Sequence, residues 1–204
     1  MPPVANGTPD QPERELFPPE NLVLLEVPDR AAWQEPDLIM DELLIADGSE
    51  VADIGAGSGW FTIRLANRVG PNGTVYAQDV QQEMLTAIGR RVEREGLANV
   101  RVVRGDDSST NLPRQALDAV LVVDVYPEIR GDRVEFLRSL ASALRPKGRI
   151  GIVNHKPGGG GPGPEPGSRV ERGVVERDAR AAGLRVISTT DLRHQYLIVL
   201  GSAP

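Results

Sequence analysis

The stretch VADIGAGSGWF, Val51 to Phe61, constrains the fold of this chain more than any other. An apolar run closes on Asp53, and glycines follow on alternate positions at Gly55, Gly57 and Gly59. A strand that breaks into a glycine-rich turn and continues as a helix belongs to an α/β sheet with a nucleotide-type ligand at the turn. In the G-x-G-x-x-G turn that holds a dinucleotide, the last glycine lets the helix pack close to the strand. Here the third glycine comes one residue early and Trp60 stands where the last glycine belongs, so the spacing argues against a pyrophosphate cofactor.

The rest of the chain alternates in the same way. Glu50–Ile54, TVYAQDV, NVRVVRGD, LDAVLVVDVY and RIGIVN read as five strands, and LRVISTTDLRHQYLIVL as two more with a turn near Asp191–Arg193. Helical stripes lie between them. Leu38, Ile39, Leu43 and Leu44 form the first, ended by Gly48; Phe61, Leu65, Ala66 and Val69 the second; Met84, Leu85, Ile88 and Val92 the third. Asp132 with Glu135, and Ser168 with Glu171, are candidate capping boxes for two later helices. This order implies a Rossmann-like, doubly wound α/β fold with a seven-stranded sheet, mainly parallel, closed by a C-terminal antiparallel hairpin. Such sheets bind ligands beyond the carboxyl ends of their strands, where the glycine turn sits.

Residues 1–20 are rich in Pro and polar side chains and read as a disordered arm, with a single domain over residues 21–204. KPGGGGPGPEPG carries a Gly/Pro loop, residues 157–167, expected to be flexible and a tolerated insertion. With 204 residues and no Cys, the chain needs no disulfide to fold, and thiolate chemistry, Cys-bound zinc and iron–sulfur clusters are excluded. No metal is expected. The absence of a signal-like or membrane-spanning apolar run makes the cytoplasm the default location and a membrane partner unexpected. A net charge of −6 without a Lys/Arg run makes nucleic acid an unlikely partner. Oligomeric state is not legible.

The pattern Asp53-x-Gly55-x-Gly57-x-Gly59 resembles the first motif of the class I S-adenosylmethionine-dependent methyltransferases, of the small-molecule type. The likeness continues in order to about Val153. It takes in VYAQDV with Asp79 and Val80, VVRGDD with Asp106 and Asp107, LDAVLVVDVY with Asp124, and LASALRPKGRIGIV. The resemblance implies S-adenosylmethionine as cofactor and S-adenosylhomocysteine as product. It makes Asp79 the acceptor for the ribose hydroxyls and Asp106 or Asp107 the acceptor for the adenine amino group. Each acid also has a plainer reading: Asp53 as a strand-end group bonded to the turn, Asp79 as a helix cap with Gln82, and Gly-Asp-Asp as turn chemistry.

The acceptor is less legible, because methyl transfer needs positioning more than dedicated side chains. Tyr126 and Glu128 after the fourth strand, and His155 after the fifth, are the candidate catalytic groups, with Asp124 beside them. Asn154, Lys156, His194, Gln195 and Tyr196 fall at the same edge of the sheet. Many similar enzymes carry a His where this chain has Pro127, which has no proton to exchange. The expected function is methyl transfer to a small-molecule O, N or C acceptor. A protein-L-isoaspartate-type carboxyl methyltransferase, a tRNA methyltransferase and a cofactor-binding but inactive protein stay as alternatives. Trp33 and the Gly/Pro loop are candidates to close over the acceptor; the other reading of Trp33 is an anchor packed on the sheet edge.

Overall fold

A computed structural model describes residues 16–106 and 110–203. Its seven apolar runs form one sheet of order β3-β2-β1-β4-β5-β7-β6. The strands are β1 (Glu50–Ile54), β2 (Thr74–Asp79), β3 (Val100–Arg104), β4 (Leu117–Val123), β5 (Leu144–His155), β6 (Leu184–Asp191) and β7 (Gln195–Ser202). The first five run parallel, and β7 inserts antiparallel between β5 and β6, as the terminal hairpin requires. The chain reverses between β1 and β4, so the glycine turn after β1 opens into the crevice beside β4.

Helices cover both faces. On one face lie α1 (Arg30–Gln34), α2 (Pro36–Glu42), α3 (Trp60–Val69) and α4 (Gln82–Arg94); on the other lie α5 (Arg133–Ala143) and α6 (Arg172–Ala181). Strand alternation sorts the side chains between the two. Val51, Val75, Leu121 and Val153 pack with Ile39, Phe61 and Leu65, while Ala52, Val120, Ile150 and Ile152 pack with Leu137, Leu140 and Val175. Among the described residues no helix is long and apolar enough to cross a membrane.

Two local expectations change. The helix before β1 stops at Glu42, and Leu44 takes φ +56, the left-handed conformation that ends a helix. Leu44 therefore points outward, 65% exposed, Leu38 is also exposed, and the buried face is Ile39, Met40 and Leu43 with Ile45 beyond the turn. Ser168 is not a helix cap: it closes a 3-10 turn, Pro166–Ser168, and α6 starts at Arg172 with Glu171 at its N-cap and no capping bond from that side chain. Pro19–Leu25 is a 3-10 helix that spans the expected domain boundary at Asn21, and residues 1–15 of the expected disordered arm lie outside the described residues. Asp132 does cap α5, accepting from the backbone N–H of Val134 at 2.8 Å and of Glu135 at 3.2 Å.

The Gly/Pro segment follows a definite path. The buried Arg169 donates to the carbonyls of Pro164 (2.8 Å) and Lys156 (3.0 Å). Gly161 and Gly163 have φ +92 and +103, and a Cβ on them would fall 2.5 Å from His194 Nδ1 and 2.4 Å from His155 Cε1. The glycines here allow the backbone to lie directly on two imidazole rings, which no side chain would permit.

Candidate functional site

A cavity of about 480 Å³ opens at the carboxyl ends of β1, β2 and β4, within the size range of small-molecule sites. Its floor is the turn, where Gly55, Gly57 and Gly59 all have positive φ (62, 54 and 76), so the chain curls tightly before α3 starts at Trp60. A Cβ on Gly55 would sit 2.3 Å from Val125 Cγ2, a stiff β-branched side chain. Gly55→Ala is expected to lower stability by about 2–5 kcal/mol, from left-handed strain plus overpacking. The control is Gly48→Ala, also at positive φ but with nothing within 4 Å, which should show the strain alone in urea unfolding.

Asp53 ends β1 beneath this turn, 3% exposed, and accepts from Thr62 Oγ1 at 2.7 Å. Burial pushes its carboxyl up to about 6, against the opposing pull of the Thr62 hydroxyl and of Arg30. A carboxylate held at that value gains from a cationic partner. Asp79 ends β2. One carboxylate oxygen accepts from the Gly57 N–H at 3.0 Å, and the other from the Gln81 N–H at 3.0 Å. Burial raises the Asp79 carboxyl, with the backbone donors pulling the other way. The cap position of α4 is Gln81, so Asp79 braces the glycine turn instead of capping that helix. The Val80 N–H is a third backbone donor to this carboxylate, whose roughly four acceptor sites still leave capacity for a ligand.

Val80, Asp106, Asp124 and Glu128 also line the cavity; Asp107 lies outside the described residues. Asp124 follows β4 at φ +59, and Oδ2 accepts from Gln195 Nε2 at 2.8 Å with His155 Nε2 at 3.4 Å. The structure does not bring Tyr126 or His155 to the cavity wall. Tyr126 is wholly buried on the α5–α6 face and donates to Asp178 at 2.8 Å, and burial pushes its phenol far up. His155 is buried behind Asp124, beneath Gly163 and 5.9 Å from the Trp33 ring. Trp33 packs on His155 and His194 and stays off the cavity wall. Asn154 turns to the opposite face and donates to Tyr196 Oη at 3.3 Å. No group of three His, Cys, Asp or Glu side chains among the described residues could hold a metal.

Arg30, which no sequence motif singles out, also lines the cavity. Its guanidinium donates to Leu25 O at 2.7 Å and Gln34 Oε1 at 2.6 Å, and lies 4.4 Å from the Trp60 ring centroid. Burial lowers its pKa, while Asp124, Glu26 and Asp53 oppose the shift. Arg30 and Arg130 are the only cations among the described lining residues. The segment before α1 also serves the cavity. Leu16, Phe17 and Leu25 line it, Gln81 Nε2 donates to Phe17 O at 3.1 Å, and Glu26 pairs with Arg91. The Arg30–Gln34 spacing of four in RAAWQ is the one sequence cue to this helix.

Residues 51–148 match the family model described as a methyltransferase domain. The chain is 33% identical over 127 residues to protein-L-isoaspartate O-methyltransferase of Pyrococcus horikoshii, covering 61% of this chain and 57% of that protein. It is 31% identical over 113 residues to nocamycin O-methyltransferase of Saccharothrix syringae, covering 54% and 39%. The chain spans about half the length of the curated relatives it matches. Among solved structures, a SAM dependent methyltransferase from Aquifex aeolicus superposes with a TM-score of 0.86 at 26% identity, over 91% of this chain and 98% of that one. The family match starts on the first residue of the glycine stretch, and the structural likeness extends over nearly the whole sheet around it; the chain belongs to the class I S-adenosylmethionine-dependent methyltransferases.

Proposed function

We propose that this chain transfers a methyl group from S-adenosylmethionine to a small-molecule acceptor with a nucleophilic O, N or C atom. The observation that carries the reading is one cavity with donor-holding groups at the glycine turn, Asp124 at the β4 end, and the segment around Phe17 and Leu25 lying across it. The side chains fit the donor. Its amino acid end is a zwitterion, suited to the pair Asp53 and Arg30, which offers an acid for the ammonium and a guanidinium for the carboxylate. Asp79 has acceptor capacity left for the ribose diol, and Asp106, also on the cavity wall, is the acceptor for the adenine amino group in this reading. Bound there, the cofactor supplies an electrophilic methyl group on a sulfonium.

The chain's own residues then orient and dry the acceptor. Methyl transfer from the bound cofactor would leave an O–H or N–H acceptor with one proton to lose. For an O–H or N–H acceptor, the proton passes to Asp124, the carboxylate on the cavity wall at the end of β4. Glu128 is the neighbouring carboxylate on the same wall. Tyr126 and His155 take no direct part in this reading.

A second reading, transfer to a peptide isoaspartyl carboxylate, draws support from the likeness to the Pyrococcus horikoshii enzyme. Against it stands the wall itself, where an incoming carboxylate would meet Asp124 and Glu128. The test is transfer of radiolabelled methyl from S-adenosylmethionine by the purified protein into a fractionated metabolite pool, beside isoaspartyl peptide and tRNA. Label in a metabolite fraction, lost in Asp124→Asn for an O–H or N–H acceptor, is the expected result. Label in peptide alone would establish the second reading, and label in tRNA alone would overturn both.

A further inference from the structure

Two glutamines join the ends of the cavity. Gln34, the last residue of α1, accepts from Arg30 Nε at 2.6 Å and donates from Nε2 to Gln195 Oε1 at 2.9 Å. Gln195, the first residue of β7 and the register partner of His155, donates from Nε2 to Asp124 Oδ2 at 2.8 Å. Both glutamines are 0% exposed, although 161 residues separate them in sequence. The row Arg30–Gln34–Gln195–Asp124 therefore runs unbroken between a cation and an anion on the wall.

The chemistry of the ends fixes every amide between them. A guanidinium can only donate, so Gln34 must turn its oxygen to Arg30; a carboxylate can only accept, so Gln195 must turn its nitrogen to Asp124. These two requirements meet without conflict at the single contact between the glutamines. Reversing either amide would set like against like in a buried place, where an unmade hydrogen bond is expensive. Helix α1 has five residues, too few to hold a position by itself, and its link to β7 through Gln34, beside the packing of Trp33 on His155 and His194, helps to fix where Arg30 stands.

We propose that Gln34 and Gln195 are positioning residues that bind Arg30 and Asp124 into one unit, coupling the amino acid end of the donor to the acceptor side of the cavity. The proposal rests on the donor reading above, in which Arg30 faces the donor's carboxylate. A ligand carboxylate at Arg30 then stabilises the same arrangement that aims Asp124, and loss of Asp124 loosens Arg30 from a distance.

The test is calorimetric titration of S-adenosylhomocysteine, and of 5′-methylthioadenosine, which lacks the amino acid end. The variants are Asp124→Gly, which suits the positive φ, Gln34→Leu and the double substitution. Each single change is expected to weaken S-adenosylhomocysteine about tenfold, and the double change by little more than either. Methylthioadenosine should change by less than about threefold throughout, which a general loosening of the fold would not allow. Losses that multiply in the double variant, or an unchanged affinity in Asp124→Gly, would overturn the coupling. Gln34→Glu serves if Gln34→Leu does not fold, because it keeps the acceptor for Arg30 but offers no donor to Gln195. In that background the effect of Asp124→Gly should vanish, and its persistence would equally overturn the proposal. Failure of S-adenosylhomocysteine to bind the unaltered protein would overturn the donor reading instead.

Discussion

Asp79→Ala is expected to weaken S-adenosylhomocysteine binding by at least about a hundredfold, the equivalent of two hydrogen bonds to a charged acceptor at about 1.5 kcal/mol each. The same side chain braces the turn, through Gly57 on one oxygen and Gln81 on the other. Its loss therefore also removes the acceptor that holds the glycine turn against the start of α4. A fall in stability of about 1–3 kcal/mol should accompany the loss of affinity, since the backbone donors lose their partner. The informative comparison is Asp79→Asn. Both carboxylate oxygens already accept from backbone N–H groups, so an amide must point its NH2 at one of them, donor against donor. Asn is thus expected to bind almost as poorly as Ala, despite its matching shape. Asparagine binding like the unaltered protein in calorimetry would show that the second oxygen contributes nothing.

How much of this site the sequence discloses follows from how local each part is. The glycine turn, Asp53 and Asp79 sit where a strand ends, and both the strands and the turn carry their own periodicity and conformational signature. The parity of β4 breaks down just beyond it. Asp124 and Tyr126 are two apart, so alternation would place them on the same side, but Asp124 takes φ +59 and Tyr126–Glu128 winds into a 3-10 turn. Tyr126 is thereby carried into the core against Asp178. Parity does hold in β5, and it places His155 with Gly151 and Val153 on the α1–α3 face, behind Asp124.

Arg30, Gln34 and the link from Gln34 to Gln195 are illegible in the sequence for a different reason, although Gln195 itself is placed at the right edge of the sheet. A five-residue helix is too short to show a period, and contacts over 161 residues exist only once β7 has been inserted beside β5. Phe17 falls in residues 1–20, whose few large apolar side chains read as a disordered arm, and Leu25 falls in the short run LVLL, which shows no strand or helix period; only the folded chain brings both to the cavity wall. The low-complexity look of residues 157–167 conceals a steric requirement, since glycine is recognised as necessary only when the rings of His155 and His194 are seen beneath it.

Asp53→Asn is expected to make the ligand-free protein more stable and nearly abolish donor binding. The sign follows from the raised carboxyl. Because the folded chain holds the Asp53 proton up to about 6, against 3.8 ordinarily, it binds more protons than the unfolded chain between those values, and stability falls as pH rises through that window. Above it the buried charge costs about 3 kcal/mol, the equivalent of the displacement. Asn carries no such charge and can still accept from Thr62 through its oxygen. The stability difference between the two proteins should therefore be small near pH 4, grow toward pH 6 and level off above it. Binding should run the other way. If Asp53 holds the donor's ammonium as proposed, the ionised carboxylate is required, and affinity of the unaltered protein for S-adenosylhomocysteine should fall about tenfold per pH unit below about 6 and stay level from there to neutrality. Calorimetry near pH 5.5, in buffers of different ionisation enthalpy, should register a proton released on binding. The variant should bind about a hundredfold more weakly at pH 7, the effect of removing one member of a buried charge pair, and show no pH step. A step that survives in Asp53→Asn would assign the titration to another group and remove the ammonium from Asp53.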